Sequence, residues 1–583
     1  MTGTASISHD AASPGSRGSS TDPHTRSTLA MHSSGGDDSI YRISGNLVDP
    51  IARRIRPATL AVTHGRIADI TWDASAHATW LLPGFVDAHV HVESSLLPPH
   101  EFARLAVAHG TVATVSDPHE IANVLGIPGV DFMLDDAADS PFAFHFGAPS
   151  CVPATRFDRS GATIAADGVA ALLDRPAIGS LAEVMNYPGV VARDPDVLAK
   201  IAAATARGKP VDGHAPGLRG AALEAYVAAG ITTDHECVTL VEAREKVALG
   251  MKILIREGSA ARNFDALAPL IDERPDMCML CSDDLHPDRL AVGHVDVLVR
   301  RALARGSGLF DVLQAACVNP VRHYALPVGL LQRGDRADFL EVDDLERMRV
   351  RRVFVSGRLA AADGVPTWPR RPSAKPNRFE ATPKTPDDFR IRLPEAAGRR
   401  VRVIEARDGQ LVTGCVTVPA RVEEGYVVAD PEADVLSIAL VDRYDDRPPA
   451  VALVRSFGLR DGAIASSVSH DSHNVVAVGT NPRALARAVN LVIAARGGLA
   501  AVGPTGERVL PLEIAGLMSD RPGPEVAAAY TAIDAFAKGL GSRLAAPFMT
   551  LSFMALLVIP ALKLGPMGLF DVERFAPMGL IAD

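Results

Sequence analysis

The sequence has few cysteines and no excess of basic residues. Six cysteines scattered through 583 residues cannot build the disulfide framework of a secreted protein, which favours a reducing cytoplasm. The formal net charge is -10, so the chain has no basic surface that would favour a nucleic-acid partner. Cys278 and Cys281 have CxxC spacing, but they lie in an apolar run without a second pair. We therefore interpret them as buried strand residues rather than as a zinc knuckle.

The sequence also lacks an uninterrupted apolar run of membrane-spanning character. Residues 1–38 are rich in Ser, Thr, Gly and Asp, which excludes a secretory signal and predicts a disordered leader. Residues 544–562 are strongly apolar, but Pro547 and Pro560 interrupt them and Lys563 follows directly. We predict a buried core segment there and expect no membrane partner.

The chain is too long for one ordinary domain, and its length predicts three to four units. Short alternating runs on either side of the middle predict one small β domain, of sandwich type, that a larger domain interrupts. A segment with seven prolines predicts a linker, and a strand-rich stretch followed by helical segments predicts an α+β domain after it. The predicted ranges are 39–80 with 325–365 for the β domain, 81–324 for the inserted domain, 366–395 for the linker and 396–583 for the C-terminal domain.

Strand and helix patterns alternate through the inserted domain. After the first strand, which carries His89, seven more apolar runs follow, and most of them end in ionisable residues. This pattern predicts an α/β fold of the (β/α)8 TIM-barrel type, in which the carboxyl ends of all strands meet at one catalytic mouth. A doubly wound open sheet would also alternate, but the sequence has no Gly-rich phosphate loop. The seven later strands are predicted at 111–116, 142–146, 178–181, 211–213, 231–234, 252–255 and 277–281.

The first of these strands presents two imidazoles on one face. With a period of two, Asp87, His89 and His91 point to the same side. A His-x-His pair on a strand commonly binds one side of a metal ion, because neutral imidazole nitrogens suit zinc, iron, manganese and nickel. The alternative is a half-exposed strand with two polar residues.

Other histidines and acids fall at the ends of later strands of the same predicted barrel. Gathered at one mouth, they would supply four nitrogens and two carboxylates, a set that suits two divalent metals bridged by Glu183. A carboxylate such as Asp283, beside a shared hydroxide, could take its proton and pass it to a leaving group. Any one of these side chains alone could be a satisfied structural group. The candidate ligands are His89, His91, Glu183, His214, His235 and Asp283.

Six segments carry a resemblance to a known family: PGFVDAHVHVESS, SDPHEIANVLG, MNYPGVV, IREGSAARN, CSDDLHP and HDSHN. Together they resemble the bacterial adenine deaminases of the amidohydrolase superfamily, from about residue 40 to the C-terminus. The resemblance implies hydrolysis of adenine to hypoxanthine and ammonia, with two divalent metal ions, manganese or iron, held by the six candidate ligands. A different amidohydrolase, acting on another ring amine or a cyclic amide, is the alternative.

The resemblance further implies that a hydroxide held by the metals attacks C6 of adenine while Asp283 passes its proton to the departing amino group. Protonation of N1 needs a second acid, for which Glu120 and Glu257 are candidates because each follows the end of a strand. An outward salt bridge is the alternative for both. Adjacent strand residues point to opposite sides, so likeness to other SD motifs favours Asp283 over Asp284 as the ligand.

Several further residues are candidates for the substrate pocket. Ser94, Ser95 and His119 are expected to line it. His470 and His473 lie outside the barrel, where they either close over the mouth or cap their own domain. A homodimer is expected only because large barrels often associate.

Overall fold

The computed structural model describes residues 40–582, so the predicted leader at 1–38 lies outside the described part of the chain. The first described elements are three antiparallel strands, the second of which alternates in burial as expected for a sheet with one covered face, and a fourth strand that pairs parallel with the first. They are β1 (Tyr41–Asp49), β2 (Arg54–Thr63), β3 (Arg66–Trp72) and β4 (Trp80–Pro83).

Eight parallel strands follow, and nearly all of their residues are buried. Such burial on both faces is typical of a parallel sheet covered by helices, and it explains the continuous apolar runs in the sequence. The strands are β5 (Phe85–Val90), β6 (Thr111–Ser116), β7 (Ala143–Ala148), β8 (Ile178–Val184), β9 (Val211–Gly213), β10 (Thr233–Asp234), β11 (Lys252–Arg256) and β12 (Cys278–Cys281).

These strands close into a barrel. Strands β5 to β9 pair in sequence order, and β10 to β12 form a second parallel series. The N–H of Thr232 donates to the carbonyl of Val211, which joins the two series. The N–H of Asp283 donates to the carbonyl of His89 at 2.9 Å, so the eighth strand meets the first. The predicted (β/α)8 barrel is confirmed, and Cys278 and Cys281 are buried strand residues as expected.

Helices connect the strands of the barrel and cover its outer surface. Several begin with proline in the first turn, where a missing N–H costs nothing. They are α1 (Pro99–Ala108), α2 (His119–Leu125), α3 (Ile127–Ala137), α4 (Ala166–Leu173), α5 (Tyr187–Val191), α6 (Pro195–Thr205), α7 (Gly220–Ala228), α8 (Leu240–Ala248), α9 (Phe264–Leu267), α10 (Pro269–Glu273), α11 (Pro287–Leu290), α12 (Val295–Ala304), α13 (Leu309–Leu313) and α14 (Asn319–His323).

After the barrel the chain returns to the small β domain with β13 (Phe339–Val342), β14 (Val350–Val355), β15 (Arg358–Ala362) and β16 (Val365–Pro366). The eight strands form one sheet in the order β16-β15-β14-β13-β4-β1-β2-β3. Leu60, Phe339 and Phe354 pack in one apolar cluster of this sheet. The hydroxyl of Tyr41, in β1, donates to the carbonyl of Gly357, which lies between β14 and β15.

The proline-rich segment is packed rather than free. Residues 367–385 form no helix or strand, but Phe379 is 3% exposed and Phe389 is 1% exposed. Both pack in the cluster beneath a helix of the C-terminal domain. The charged residues of this segment also bind other parts of the molecule; Arg370, for example, pairs with Asp520.

The C-terminal domain is built on a nine-stranded mixed sheet, with a buried helix against it. Its central order is β19-β18-β23-β22-β25-β24-β26-β27, and β31 pairs with β18. Its strands are β17 (Ile391–Arg392), β18 (Arg400–Glu405), β19 (Gly414–Pro419), β20 (Val422–Glu423), β21 (Tyr426–Val427), β22 (Val435–Val441), β23 (Ala450–Arg455), β24 (Ala463–Ser466), β25 (Val475–Gly479), β26 (Gly498–Gly503), β27 (Gly506–Pro511), β28 (Leu562–Gly565), β29 (Gly568–Asp571), β30 (Ala576–Pro577) and β31 (Ile581–Ala582). Its helices are α15 (Pro482–Ala495), α16 (Gly523–Gly539) and α17 (Pro547–Ser552).

The apolar stretch at 544–562 is a core segment, as predicted. Every residue of α17 is buried, and so are Leu556, Leu557 and Ile559 after it. Between residues 40 and 582, no helix is both long and apolar enough to cross a membrane.

Candidate active site

Six buried side chains meet at the carboxyl ends of the barrel strands. They come from β5, β8 and the residues that follow β5, β9, β10 and β12, so the closed barrel directs them to one mouth. Their exposed fractions are between 2% and 5%. They are the six candidate ligands predicted from the sequence: His89, His91, Glu183, His214, His235 and Asp283.

The two histidines of the first strand face each other and the last-strand acid. Nε2 of His89 lies 3.2 Å from Nε2 of His91. Oδ1 of Asp283 lies 3.5 Å from the first of these nitrogens and 3.3 Å from the second. Two imidazole nitrogens and a carboxylate oxygen therefore surround one point.

Glu183 faces two groups of nitrogens with its two oxygens. Oε1 lies 3.2 Å from Nε2 of His91. Oε2 lies 2.7 Å from Nδ1 of His214 and 3.2 Å from Nε2 of His235. One carboxylate thus spans the space between the first-strand pair and the two later histidines, which is the geometry of a bridging ligand.

The donor set fits divalent cations. Ligand atoms bound about 2.1 Å from one ion lie roughly 3.0–3.4 Å from each other. The separations among these nitrogens and oxygens are close to that range, and several sets of three could hold a cation, among them His89, His235 and Asp283, and Glu183, His214 and His235. Histidine nitrogens with carboxylate oxygens suit iron, manganese and zinc.

The charges of the cluster are mutually compensated. Burial opposes ionisation of Glu183, but the imidazoles of His214 and His235 hold its pKa well below the usual value. Burial likewise disfavours the charged form of His91, yet hydrogen bonds to Asp283 and Glu183 raise its pKa well above the usual value. The surroundings of Glu183 therefore favour its ionised form, which is the form that binds a cation.

A buried arginine that was not predicted as a site residue binds Asp283 through the carboxylate oxygen that faces away from the histidines. Arg256, at the end of β11, donates to Oε1 and Oε2 of Glu236 at 2.6 and 2.9 Å. It also donates to Oδ2 of Asp283, the oxygen opposite the one that faces His89 and His91. Burial alone would raise the pKa of Asp283, but the guanidinium holds it well below the usual value.

The expectation that Asp283 and Asp284 point to opposite sides is wrong. Asp283 has φ of 56°, a left-handed conformation that breaks the alternation of the strand. Both carboxylates therefore reach the mouth: Asp284 accepts a hydrogen bond from the hydroxyl of Ser94 at 2.5 Å, and its Oδ1 lies 3.8 Å from Nε2 of His470. Burial raises the pKa of Asp284.

Glu120 connects the barrel to the C-terminal domain. It lies in the first turn of α2, and each of its oxygens makes a short hydrogen bond to an imidazole, one to Nδ1 of His470 and the other to Nε2 of His473. Nε2 of His119 lies 3.3 Å from the same carboxylate. Of the two alternatives for these histidines, the structure therefore has the one in which they close over the mouth. Burial opposes the charge of Glu120, but these imidazoles hold its pKa well below the usual value.

Two candidates lie apart from the cluster. The carboxylate of Glu257 pairs with Arg301 at 2.8 Å, and its side chain is 23% exposed. Because Arg256 points into the mouth, the next residue points away, so the prediction that Glu257 protonates the substrate is wrong. The hydroxyl of Ser95 donates to the carbonyl of Val92 at 2.6 Å, a local contact at the end of the first strand.

Apolar side chains of the C-terminal domain cover the mouth. We call Leu411, Phe553, Leu556 and Ile559 the apolar cap. The ring of Phe553 stacks on His470 with centroids 4.3 Å apart. Beneath the cap remains a cavity of about 20 Å³, lined by five of the six candidate ligands, all but His89.

Sequence reasoning missed several members of this site. Glu236 directly follows His235, and Arg256 ends a predicted strand, so both had a signal in their position. Asp117, which hydrogen-bonds Nδ1 of His119 at 2.9 Å, also ends a strand. The apolar cap had no such signal, since apolar residues of a distant domain look like any other core.

The fold and the site define a metal-dependent hydrolase of the amidohydrolase class: residues 80–360 match the model of the amidohydrolase family. Residues 410–576 match a model described as adenine deaminase C-terminal domain. An adenine deaminase from Salinibacter ruber is 59% identical over 537 residues, which cover 92% of this chain and 98% of the relative. Adenine deaminases from Sulfurovum sp. and Methanosarcina acetivorans are 53% and 49% identical, over 91% and 92% of this chain and 98% and 99% of their own lengths. The chain belongs to the adenine deaminase family, as its sequence motifs predict.

Proposed function

We propose that this chain hydrolyses adenine to hypoxanthine and ammonia at the barrel mouth. The observation that carries the proposal is the position of Glu183 between two groups of ligand atoms, in a cavity closed by the family's own C-terminal domain. Water adds to C6, the bond between C6 and the amino nitrogen breaks, and the ring keeps a proton on N1. The amino group leaves as ammonia with one proton of the water, and the other proton of the water replaces the one that the protein gave to N1.

Two divalent cations, manganese or iron, are proposed to complete the site. On the distances among their atoms, His89, His91 and Asp283 would hold one, His214 and His235 the other, and Glu183 would contribute to both. When bound, such a pair lowers the pKa of a water toward neutrality and polarises the group under attack.

Asp283 is proposed to move the proton from the water to the leaving amino group. Its Oδ1 faces the ligand cluster, while Arg256 binds Oδ2 and fixes the orientation of the carboxylate. A carboxylate that accepts a proton in one step and returns it in the next acts as general base and then as general acid. The position of Asp284, beside Ser94 and His470, suits a contact with the purine instead.

The proton for N1 is proposed to come from the hydrogen-bonded pair of Glu120 and His470. The carboxylate is ionised, and the pKa of His470 is raised to about 9, because the carboxylates of Glu120 and Asp284 outweigh the effect of its burial. The pair therefore holds its proton on His470, next to the carboxylate of Glu120. His119, His470 and His473 are proposed to keep Glu120 oriented toward the substrate.

The test is ammonia release from adenine by protein loaded with manganese or ferrous iron, beside adenosine, cytosine and dihydroorotate. We expect turnover of adenine alone and its loss in His89→Ala. Glu120→Gln is expected to lose roughly 10²–10⁴-fold in kcat, the usual contribution of general acid catalysis, with Glu257→Gln as the matched control that keeps activity. Intact adenine in the presence of two bound metals would refute the substrate assignment.

The setting of the reaction is also proposed. All six cysteines are free, which suits a reducing compartment such as the cytoplasm, where hypoxanthine would enter purine salvage. The homodimer stays a prediction, and light scattering of the purified protein tests it.

A further inference from the structure

The apolar cap leaves little free space at the mouth. The cavity of about 20 Å³ beneath it has room for about one water molecule, so a purine base fits only if side chains around the mouth move. Leu411 belongs to the loop at 406–413, between β18 and β19, and the other three cap residues belong to the loop at 553–561, between α17 and β28. Closure therefore requires that two separate loops stay together.

Backbone hydrogen bonds between Thr413 and residues 560–561 join these two loops at one end, and one buried lysine joins them at the cap residues. Lys563 lies in β28, and its side chain is fully buried. Its Nζ donates to the carbonyl of Leu411 at 2.8 Å and to that of Phe553 at 2.9 Å. Each carbonyl belongs to a cap residue, and each comes from a different loop.

The ammonium of Lys563 is buried without a counter-ion. Within residues 40–582 no carboxylate pairs with it, and burial alone lowers its pKa to about 7. Lys246, another fully buried lysine, instead has the carboxylates of Asp234 and Glu242 at 2.9 Å. An unpaired buried charge is costly, and a leucine or methionine would fill the same space without that cost. The hydrogen bonds to the two carbonyls, rather than packing in the core, therefore account for a lysine at this position.

We propose that Lys563 is a positioning residue whose ammonium ties together the two loops of the apolar cap and so holds the cap closed over the barrel mouth. Without the ammonium, the carbonyls of Leu411 and Phe553 lose their donor in apolar surroundings. A buried unsatisfied carbonyl is unfavourable, so the loops are expected to separate until water reaches both groups. The mouth then opens to solvent.

The test compares Lys563→Met with Lys375→Met, a lysine with half-exposed side chain in the segment that leads to the same domain. Amide hydrogen exchange is measured without substrate, together with the rate at which a chelator removes manganese from the loaded enzyme. We expect exchange at 553–559 and 406–413, and metal removal, to be at least tenfold faster in Lys563→Met. Both rates should be unchanged in Lys375→Met, and Lys563→Arg, which keeps the donors, should restore slow exchange.

Wild-type rates in Lys563→Met would overturn the proposal. If that variant does not fold, Lys563→Gln takes its place, because its amide cannot reach both carbonyls, and the same tenfold thresholds apply. The proposal rests on the proposed function only in placing the substrate beneath the cap. If the loops open faster in Lys563→Met but the wild-type enzyme does not turn over adenine, the role of Lys563 stands. The assignment of adenine as the substrate is then refuted.

Discussion

Replacement of Arg256 by methionine is the perturbation for which the structure sets the clearest magnitude. Arg256 is 3% exposed, and its guanidinium compensates the charges of two carboxylates, those of Glu236 and Asp283. Removing one partner of a buried ion pair costs about 3–5 kcal/mol, because the other charge stays buried and unpaired. With two carboxylates left behind, we expect the metal-free protein to lose stability at the upper end of that range.

The same substitution should weaken metal binding. Oδ1 of Asp283 faces His89 and His91 because Oδ2 is bound to Arg256. Loss of a group that orients a metal ligand costs about 10–100-fold in metal affinity, or about 1.4–2.7 kcal/mol. Manganese titration of the metal-free protein measures the affinity, and urea unfolding with and without manganese measures the stability.

The matched control is Arg301→Met. Arg301 pairs with Glu257, the neighbour of Arg256 in sequence, but it is partly exposed and faces away from the mouth. A pair of this kind contributes about 0–1 kcal/mol, so the control should bind metal as the wild type does. Arg256→Lys should recover part of the affinity, since one ammonium can still bind a single carboxylate. Equal metal affinity in Arg256→Met and wild type would refute the orienting role.

Three further predictions follow from single features. Burial lowers the pKa of His145 to about 4, so the folded state holds fewer protons than the unfolded state between pH 4 and about 6.5, and stability is lost as the pH falls through that window. At pH 5 the loss of stability is about 2 kcal/mol. The free energy of unfolding of His145→Gln, measured at pH 7 and pH 5, should lack this loss. A variant with the same pH dependence as the wild type would contradict the prediction. Chelation should lower the midpoint of thermal unfolding, since metal at 100 times its Kd stabilises the fold by about 2.7 kcal/mol; calorimetry with and without chelator measures it. Cys278→Ser should leave the ratio of metal to protein unchanged, because the thiol is a buried strand residue, and a lost metal equivalent would show otherwise.

Local patterns in the sequence were enough to predict the barrel and the positions of its mouth residues. His89 and His91 follow from alternation on one strand, and Glu183, His214 and His235 from the rule that strand ends converge. Such rules work because they depend only on neighbours in the chain and on the closure of the barrel.

The prediction was wrong or incomplete where backbone conformation or distant contacts decide. The left-handed φ of Asp283 brings Asp284 to the mouth, and alternation alone could not predict that turn. For Glu257, alternation would have given the correct result. Once Arg256 is known to face inward, alternation places Glu257 on the outer side of the barrel, away from the substrate. The contact of Glu120 with His470 joins residues 350 positions apart, and no local pattern encodes such a pairing.

The hydrogen bond between Asp283 and His89 closes the barrel, and both residues are candidate ligands of the same cation. The seam of the barrel and the metal centre therefore share these two residues. A chain that is still being synthesised lacks the eighth-strand carboxylate until residue 283 has been added. It lacks the second of the two C-terminal imidazoles that face Glu120 until residue 473 has been added. It lacks the lysine that binds the two cap loops until residue 563 has been added. A fully liganded and covered metal centre is thus available only when synthesis of the chain is almost complete.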